Sequence, residues 1–162
     1  MPDNGDIEWD ADEVMDSLKK VKGRIDLAAG GALMAVGFDI MGESIKKTPV
    51  EFGQLRQSNY VTQPNKVGGG WVVEMGYGVK YAPTVHESPG TLKGEPREPS
   101  PPHRGNYWDS GEPKFMQKAI DENIGRAPKV FKGIFWKVMR GKMRGPTRPS
   151  DTPEKPQTDG ED

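Results

Sequence analysis

The sequence predicts an α+β fold in which a long N-terminal helix packs on a small antiparallel sheet, followed by C-terminal helices and flanked by disordered ends. Three observations predict it. Val14, Leu18, Val21, Ile25, Ala28, Ala32, Val36 and Ile40 recur in steps of four and three, which is one apolar stripe on a helix. Thr48 and Pro49 break that pattern, and two runs of strand-like residues then flank the turn KVGGG. The last third of the chain returns to helical spacing twice, each time just after a proline.

Residues 1–11 carry Asp3, Asp6, Glu8 and Asp10 and predict a mobile acidic N-terminus. Asp10 is a suitable N-cap, with Glu13 three places on to reach back as in a capping box. The helix should run to about Lys47, where two lysines suit the negative end of the helix dipole and Pro49 drives Thr48 out of helical angles. Gly23, Gly30, Gly31, Gly37 and Gly42 weaken it, so a kink near Gly30 is expected, with room for another helix to approach. Leu55 to Gln63 reads as a first strand, Pro64 to Gly70 as a turn, and Trp71, Val73, Met75 and Tyr77 as the inward positions of a second strand. From Val79 to Glu87 a short helical turn is expected, because Pro83 is tolerated in a first turn. Residues 88–111 are too rich in proline and glycine for regular structure, and Tyr107 and Trp108 at the end of that loop argue that it docks. Pro113 opens a helix with Met116, Ala119, Ile120 and Ile124 on one face, closed at Gly125. Residues 126–144 form a basic helix opened by Pro128, and 145–162 a disordered tail by composition. The domain proper is thus 12–125.

Composition narrows the function. A hydrophobic share of 33% limits the core to a small one, so partners could supply part of the stability. With no cysteine, neither disulfides nor thiolate metal sites can form. The acidic N-terminus has the wrong sign for a targeting peptide, and no uninterrupted apolar run reaches the roughly 20 residues of a membrane span, so a soluble product without membrane contact is expected. Net charge is only −1, yet Arg126 to Arg148 holds eight cations and no acid, which suits head-to-tail packing of copies or a polyanionic partner.

Chemical motifs are few. His86-Glu87 lacks the second histidine of a zinc-protease helix, and His103 is the one other imidazole, so a hydrogen bond at a packed or subunit-facing surface is the expected role. VGGGW joins two strands and is followed by no Gly-Lys-Ser/Thr, which excludes a phosphate-binding loop. No nucleophile–base pairing is visible. Hence no catalytic residue, metal site or cofactor is expected. Lys129, Lys132, Lys137, Arg140, Lys142 and Arg144, beside Phe131, Phe135 and Trp136, leave three readings open: a solvated helix face, contact with DNA phosphates or an acidic partner, or a membrane surface.

KKTPVEFGQLRQSNYV, then MGYGVKYAPTVHES, then GEPKFMQKAIDEN, in that order, resemble the neck or tail-completion family of tailed bacteriophages. Thr48, Pro49, Gly53, Leu55 and Arg56 carry the first element of the resemblance. Gly76, Tyr77, Tyr81, Ala82, Val85, His86 and Glu87 carry the second, and Phe115, Met116, Ala119 and Ile120 the third. Glu51 and Phe52 depart from the family's Asp-Thr, removing a small polar turn residue and offering an aromatic for contact. The resemblance implies a structural virion protein, a homo-oligomeric ring of sixfold or twelvefold symmetry in the neck between capsid and tail, through which DNA passes. Its partners would be the connector, adaptor or stopper proteins and the tail terminator or tail tube, with transient non-specific DNA contact, after assembly in the host cytoplasm. Interface residues expected on this basis are Phe52, Arg56, Tyr81, His86, Glu87, Tyr107 and Trp108, of which Arg56 is expected more as a brace of the fold. The alternative is a sequence-independent nucleic-acid-binding accessory protein that uses the basic C-terminal helix; an enzyme built around His86 is a distant third.

Overall fold

Asp10 starts the spine of the molecule as its position predicts. Its Oδ1 accepts the backbone N–H groups of Asp12 and Glu13 at 2.9 and 3.3 Å, and helix α1 then runs unbroken over Ala11–Lys47. At 1.5 Å per residue it is about 55 Å long. Thr48 ends it in an extended conformation before Pro49. In the computed structural model, which describes residues 10–96, 107–108 and 110–141, α1 is followed by α2 (Gln54–Gln57), β1 (Asn59–Val61), β2 (Asn65–Val67), β3 (Gly70–Val72), β4 (Met75–Tyr77), α3 (Ala82–Glu87), α4 (Phe115–Asn123) and α5 (Ala127–Met139). The α+β class is therefore the one predicted. The expectations placed on residues 1–9, on 97–106 with His103, and on 142–162 with Lys142 and Arg144 lie outside the described residues.

The glycines of α1 have a packing reason, and it differs from the one expected. A Cβ on Gly30 would stand 3.2 Å from the ring of Pro64, and one on Gly37 would stand 3.0 Å from Val61 and 3.3 Å from Val73. At Gly30 and Gly37 what comes close is the hairpin, while helix α5 packs along the same stretch of α1. Pairing runs Asn59 to Val61 against Tyr77 to Met75, and Asn65 to Val67 against Val72 to Gly70. The partner sums differ by one between the two ladders, because three residues separate β1 from β2 and two separate β3 from β4. This bulge-like offset is bridged where Thr62 N–H donates to the Glu74 carbonyl and Glu74 N–H to Thr62 Oγ1, each at 2.8 Å. Gly68 and Gly69, at φ 56° and 84°, make the two-residue turn that only paired positive angles allow. Lys66 Nζ ties the hairpin back to α1, 2.6 Å from Asp26 Oδ2 and 5.0 Å above the centre of the Trp71 ring.

Three further expectations need correction. Leu55 to Gln63 is not one strand: Gly53 at φ 83° turns the chain into α2, and Ser58 and Asn59 bond back to the carbonyls of Leu55 and Arg56 at 2.8 and 2.6 Å, leaving three residues of strand. The first C-terminal helix begins later than Pro113 implies, since Lys114 sits at φ 54° and α4 starts at Phe115; Ile124, expected on its apolar face, is 55% exposed. The basic helix α5 ends at Met139. It lies antiparallel along α1, with Arg126 at Asp39 and Glu43 (2.9 and 3.5 Å) and the Met139 carbonyl at Arg24.

That geometry fixes what is covered. Ala28, Ala32 and Ile40 of the predicted stripe are buried, whereas Val14, Leu18, Val21 and Ile25 remain 40, 58, 48 and 43% exposed. α1 holds a window apolar and long enough to cross a bilayer by composition, and in this fold it is the element on which α4, α5 and the hairpin pack. A second core gathers Leu55, Ala82 and Phe115, with Tyr77, Val79, Val85 and Met116 around them. Phe115 meets Tyr77 and His86 edge-on, at 5.2 and 5.0 Å between ring centres.

Candidate functional site

The Thr48-Pro49 break is where α2, the end of β4 and residues 110–112 meet. Thr48 is fully buried; its Oγ1 donates to the Ser44 carbonyl at 2.8 Å and lies 2.7 Å from the Tyr77 hydroxyl, which in turn lies 2.9 Å from Ser44 Oγ. Three hydroxyls in contact leave none of the buried polar atoms at the end of α1 unsatisfied. Behind this point the strap at residues 110–112 crosses the helix end. Val50 N–H donates to the Ser110 carbonyl at 3.3 Å and Glu112 N–H to the Lys47 carbonyl at 2.7 Å, an orphan acceptor of the last turn. Gly111 can pass there only because it lacks a Cβ, which would fall 2.5 Å from the Pro49 backbone.

The chain that leaves this break builds an open pocket of about 400 Å³. Its walls come from Pro49, Glu51, Phe52 and Leu55 on one side, Tyr81 and Val85 of the α3 segment on another, and Tyr107 and Trp108 on the third. Gly53 makes the turn that leaves Phe52 45% exposed at the rim while Leu55 enters the core. The returning loop is pinned by two backbone bonds, Gly94 N–H to the Trp108 carbonyl at 3.1 Å and Tyr107 N–H to the Glu95 carbonyl at 3.0 Å. The Trp108 ring is 93% hidden, and its buried Nε1 finds no acceptor among the described residues. Burial, with the Glu51 carboxylate as a second cause, raises the pKa of the Tyr81 phenol, so Tyr81 is a neutral hydrogen-bonding group at the mouth.

Four of the residues expected at an interface are thus brought together: Phe52, Tyr81, Tyr107 and Trp108. Three are not. Arg56 turns away and forks onto the Thr48 carbonyl from Nε and Nη2. His86 packs on Phe115, its Nδ1 2.9 Å from Glu87 Oε1 and its Nε2 buried without a partner among the described residues, while its carbonyl accepts Lys114 N–H at 2.7 Å. Glu87 stays at the surface between His86 and Lys114. Pro49, Leu55 and Val85 complete the pocket; the sequence marked them as positions of the family resemblance and not as contacts. The pocket is a shaped apolar recess with a phenol and a carboxylate at its edge. A recess of this shape and lining suits an apolar or aromatic group.

A second surface lies on α5. Lys129, Lys132, Trp136 and Arg140 follow at helical spacing on one face, with Lys137 at its border, and all five are exposed. Arg126, by contrast, is held by Asp39 and Glu43; the hydrogen bond to Asp39 raises its pKa first.

Residues 12–86 match the model of the HK97-gp10-like family, whose description reads "Bacteriophage HK97-gp10, putative tail-component". No curated protein matches the chain, and no solved structure does. The matched segment runs from the first turn of α1 through the hairpin to α3, so it includes the Thr48-Pro49 break and two walls of the pocket.

Proposed function

Because residues 12–86 belong to the HK97-gp10-like family of bacteriophage tail components, we propose that this chain forms a ring in the head–tail connection, joining the connector to the tail and letting DNA pass. A phage tail component is a structural protein of the virion, and it meets other structural proteins of the particle. Ring, neck position and DNA passage are the finer reading. The observation that carries it is the aromatic pocket within and beside the family segment, with Phe52 and Tyr81 at its mouth 45 and 43% exposed. A monomer gains nothing from an open recess of this kind, whereas a neighbouring subunit that fills it completes the fold. The hairpin tip supports the same reading, since Val67 and Val72 stand 58 and 42% exposed at the far end of a two-strand projection. In this reading the ring subunit catalyses no reaction.

Imaging of the native particle, with this chain located and its copies counted, tests the proposal. Density at the capsid–tail junction in six or twelve copies is expected. Absence from purified virions, or a position along the tail tube, defeats it.

The cationic face of α5 favours a second reading, sequence-independent binding to DNA phosphates. Reversing Lys129, Lys132 and Arg140 together to glutamate separates the two. A ring subunit keeps its place in the particle, while a DNA-binding accessory protein loses a salt-sensitive affinity and, with three phosphate contacts gone, about three units of its salt slope.

A further inference from the structure

Every residue from Ala11 to Ile25 is exposed, although the segment is not polar throughout. Val14, Leu18, Val21 and Ile25 follow one another by four, three and four, the seam spacing of paired helices, and the same stripe continues into Ala28 and Ala32, which are buried. The described residues of the subunit therefore leave this packing surface uncovered. α5 cannot cover it, because that helix ends at Met139 beside Arg24. Residues 142–162 contain a single large apolar side chain, Met143. A helical arm of this length with no tertiary contact is marginal in water, so what covers the seam also stabilises the helix.

Charge identifies the cover. All charges from Asp10 to Asp16 are negative (Asp10, Asp12, Glu13, Asp16), and all charges from Lys19 to Arg24 are positive (Lys19, Lys20, Lys22, Arg24). Two such arms laid side by side in the same direction set like against like. Reversing one sets each acidic half against a basic half, across an interhelical distance of about 8–10 Å that is comparable to the Debye length at physiological salt. Asp10 and Arg24, which border the seam at its two ends, then face each other across it. We propose that the Ala11–Ile25 arm is a self-association surface that pairs antiparallel with the same arm of a second copy, about a two-fold axis near Ser17. The contact is isologous and closes on itself, so it joins two copies and is not the contact that propagates a ring. It rests on α1 alone and stands whether or not the ring reading holds. A seam of about 22 Å buries an area at the low end of specific interfaces, which makes the pair dissociable.

The chain has no cysteine, so single cysteines report the geometry directly. Full-length Ala11→Cys and Val21→Cys chains, mixed and treated with a short bis-maleimide, are expected to cross-link to each other, while Ala11→Cys alone does not cross-link to itself. Sedimentation of the wild type should show a concentration-dependent dimer. Leu18→Ala should shift it to monomer, with a thermal midpoint equal to that of the wild type at concentrations where both are monomeric, because Leu18 is 58% exposed and outside the subunit core. Cross-linking of Ala11→Cys to itself would mean a parallel pair, and cross-linking of Val21→Cys to a Phe52→Cys chain would mean a head-to-tail contact. Either result, or a wild type that stays monomeric at every concentration, overturns the proposal.

Discussion

The guanidinium of Arg56 holds the carbonyl oxygen of Thr48 by two hydrogen bonds, from Nε at 3.1 Å and from Nη2 at 2.9 Å. That carbonyl lies just past the last helical residue of α1, and Pro49 behind it has no N–H to offer any neighbour. The pair locks α2 against the end of α1 and thereby sets where Phe52 stands. Lysine has the charge but not the fork. Arg56→Lys should lower unfolding stability by about 1–2 kcal/mol, the range for a charge-assisted hydrogen bond that is partly exposed. A urea titration checks it, and an unchanged midpoint would show that the bond contributes nothing.

Gly111 is the second fixed point. It adopts φ 102°, and the Cβ of any other residue would meet Pro49 Cα and N at 2.5 Å, both of them backbone atoms with no freedom to give. Gly111→Ala is therefore expected to cost several kcal/mol, from steric strain added to an unfavourable backbone angle. Gly37→Ala meets only the side-chain tips of Val61 at 3.0 Å and Val73 at 3.3 Å and should cost about 1 kcal/mol or less, since helix propensity offsets part of the crowding. Thermal unfolding of the two variants side by side measures the difference.

The elements legible in the sequence were those with local causes. Asp10, Pro49, Pro83 and Pro128 each act within a few residues, and the alternation of Trp71, Val73, Met75 and Tyr77 follows from the pleat. Leu55-Arg56 misled because its pattern suits a strand; the turn there depends on Gly53 and on a bond to Thr48 that spacing does not reveal. The stripe on α1 announced an apolar face without saying which part the subunit would cover, and that depends on where α5, more than a hundred residues later, comes to an end. Phe52, Tyr81, Tyr107 and Trp108 were each singled out as contacts. That they share one pocket is a consequence of the strap over Pro49 and of the Gly94–Trp108 backbone bond, both long-range.

Acid should loosen the junction between α1 and the C-terminal helices. The hydrogen bond from Lys46, with Arg126 adding to it, holds the Glu43 carboxyl below its ordinary value of 4.5, and that from Lys118, with Lys47 adding to it, does the same for Glu112. A carboxyl depressed in the folded state contributes stability that is present above its unfolded pKa and is lost as pH falls through the folded one. The thermal midpoint is thus expected to be flat near neutral pH and to fall below about pH 4.5, modestly, because these groups face solvent. Added salt should shrink the drop. A midpoint that rises on acidification would contradict the assignment of these pairs.

Phe52 and Trp108 line the same pocket, and their variants should fail in different ways. Trp108 is 7% exposed and forms a wall of the fold, so Trp108→Ala leaves a cavity and is expected to cost about 3–5 kcal/mol. Phe52 is 45% exposed at the rim, and Phe52→Ala should move unfolding stability by no more than about 0.5 kcal/mol. If a neighbouring subunit fills the recess, the same change should nonetheless reduce the number of copies retained in purified particles, because an exposed rim aromatic gains its burial only on assembly. Thermal unfolding of the free chain and quantification of the chain in virions, made on the same pair of variants, separate the two roles. A Phe52→Ala chain that is as stable and as fully incorporated as the wild type would remove the pocket from the subunit contact.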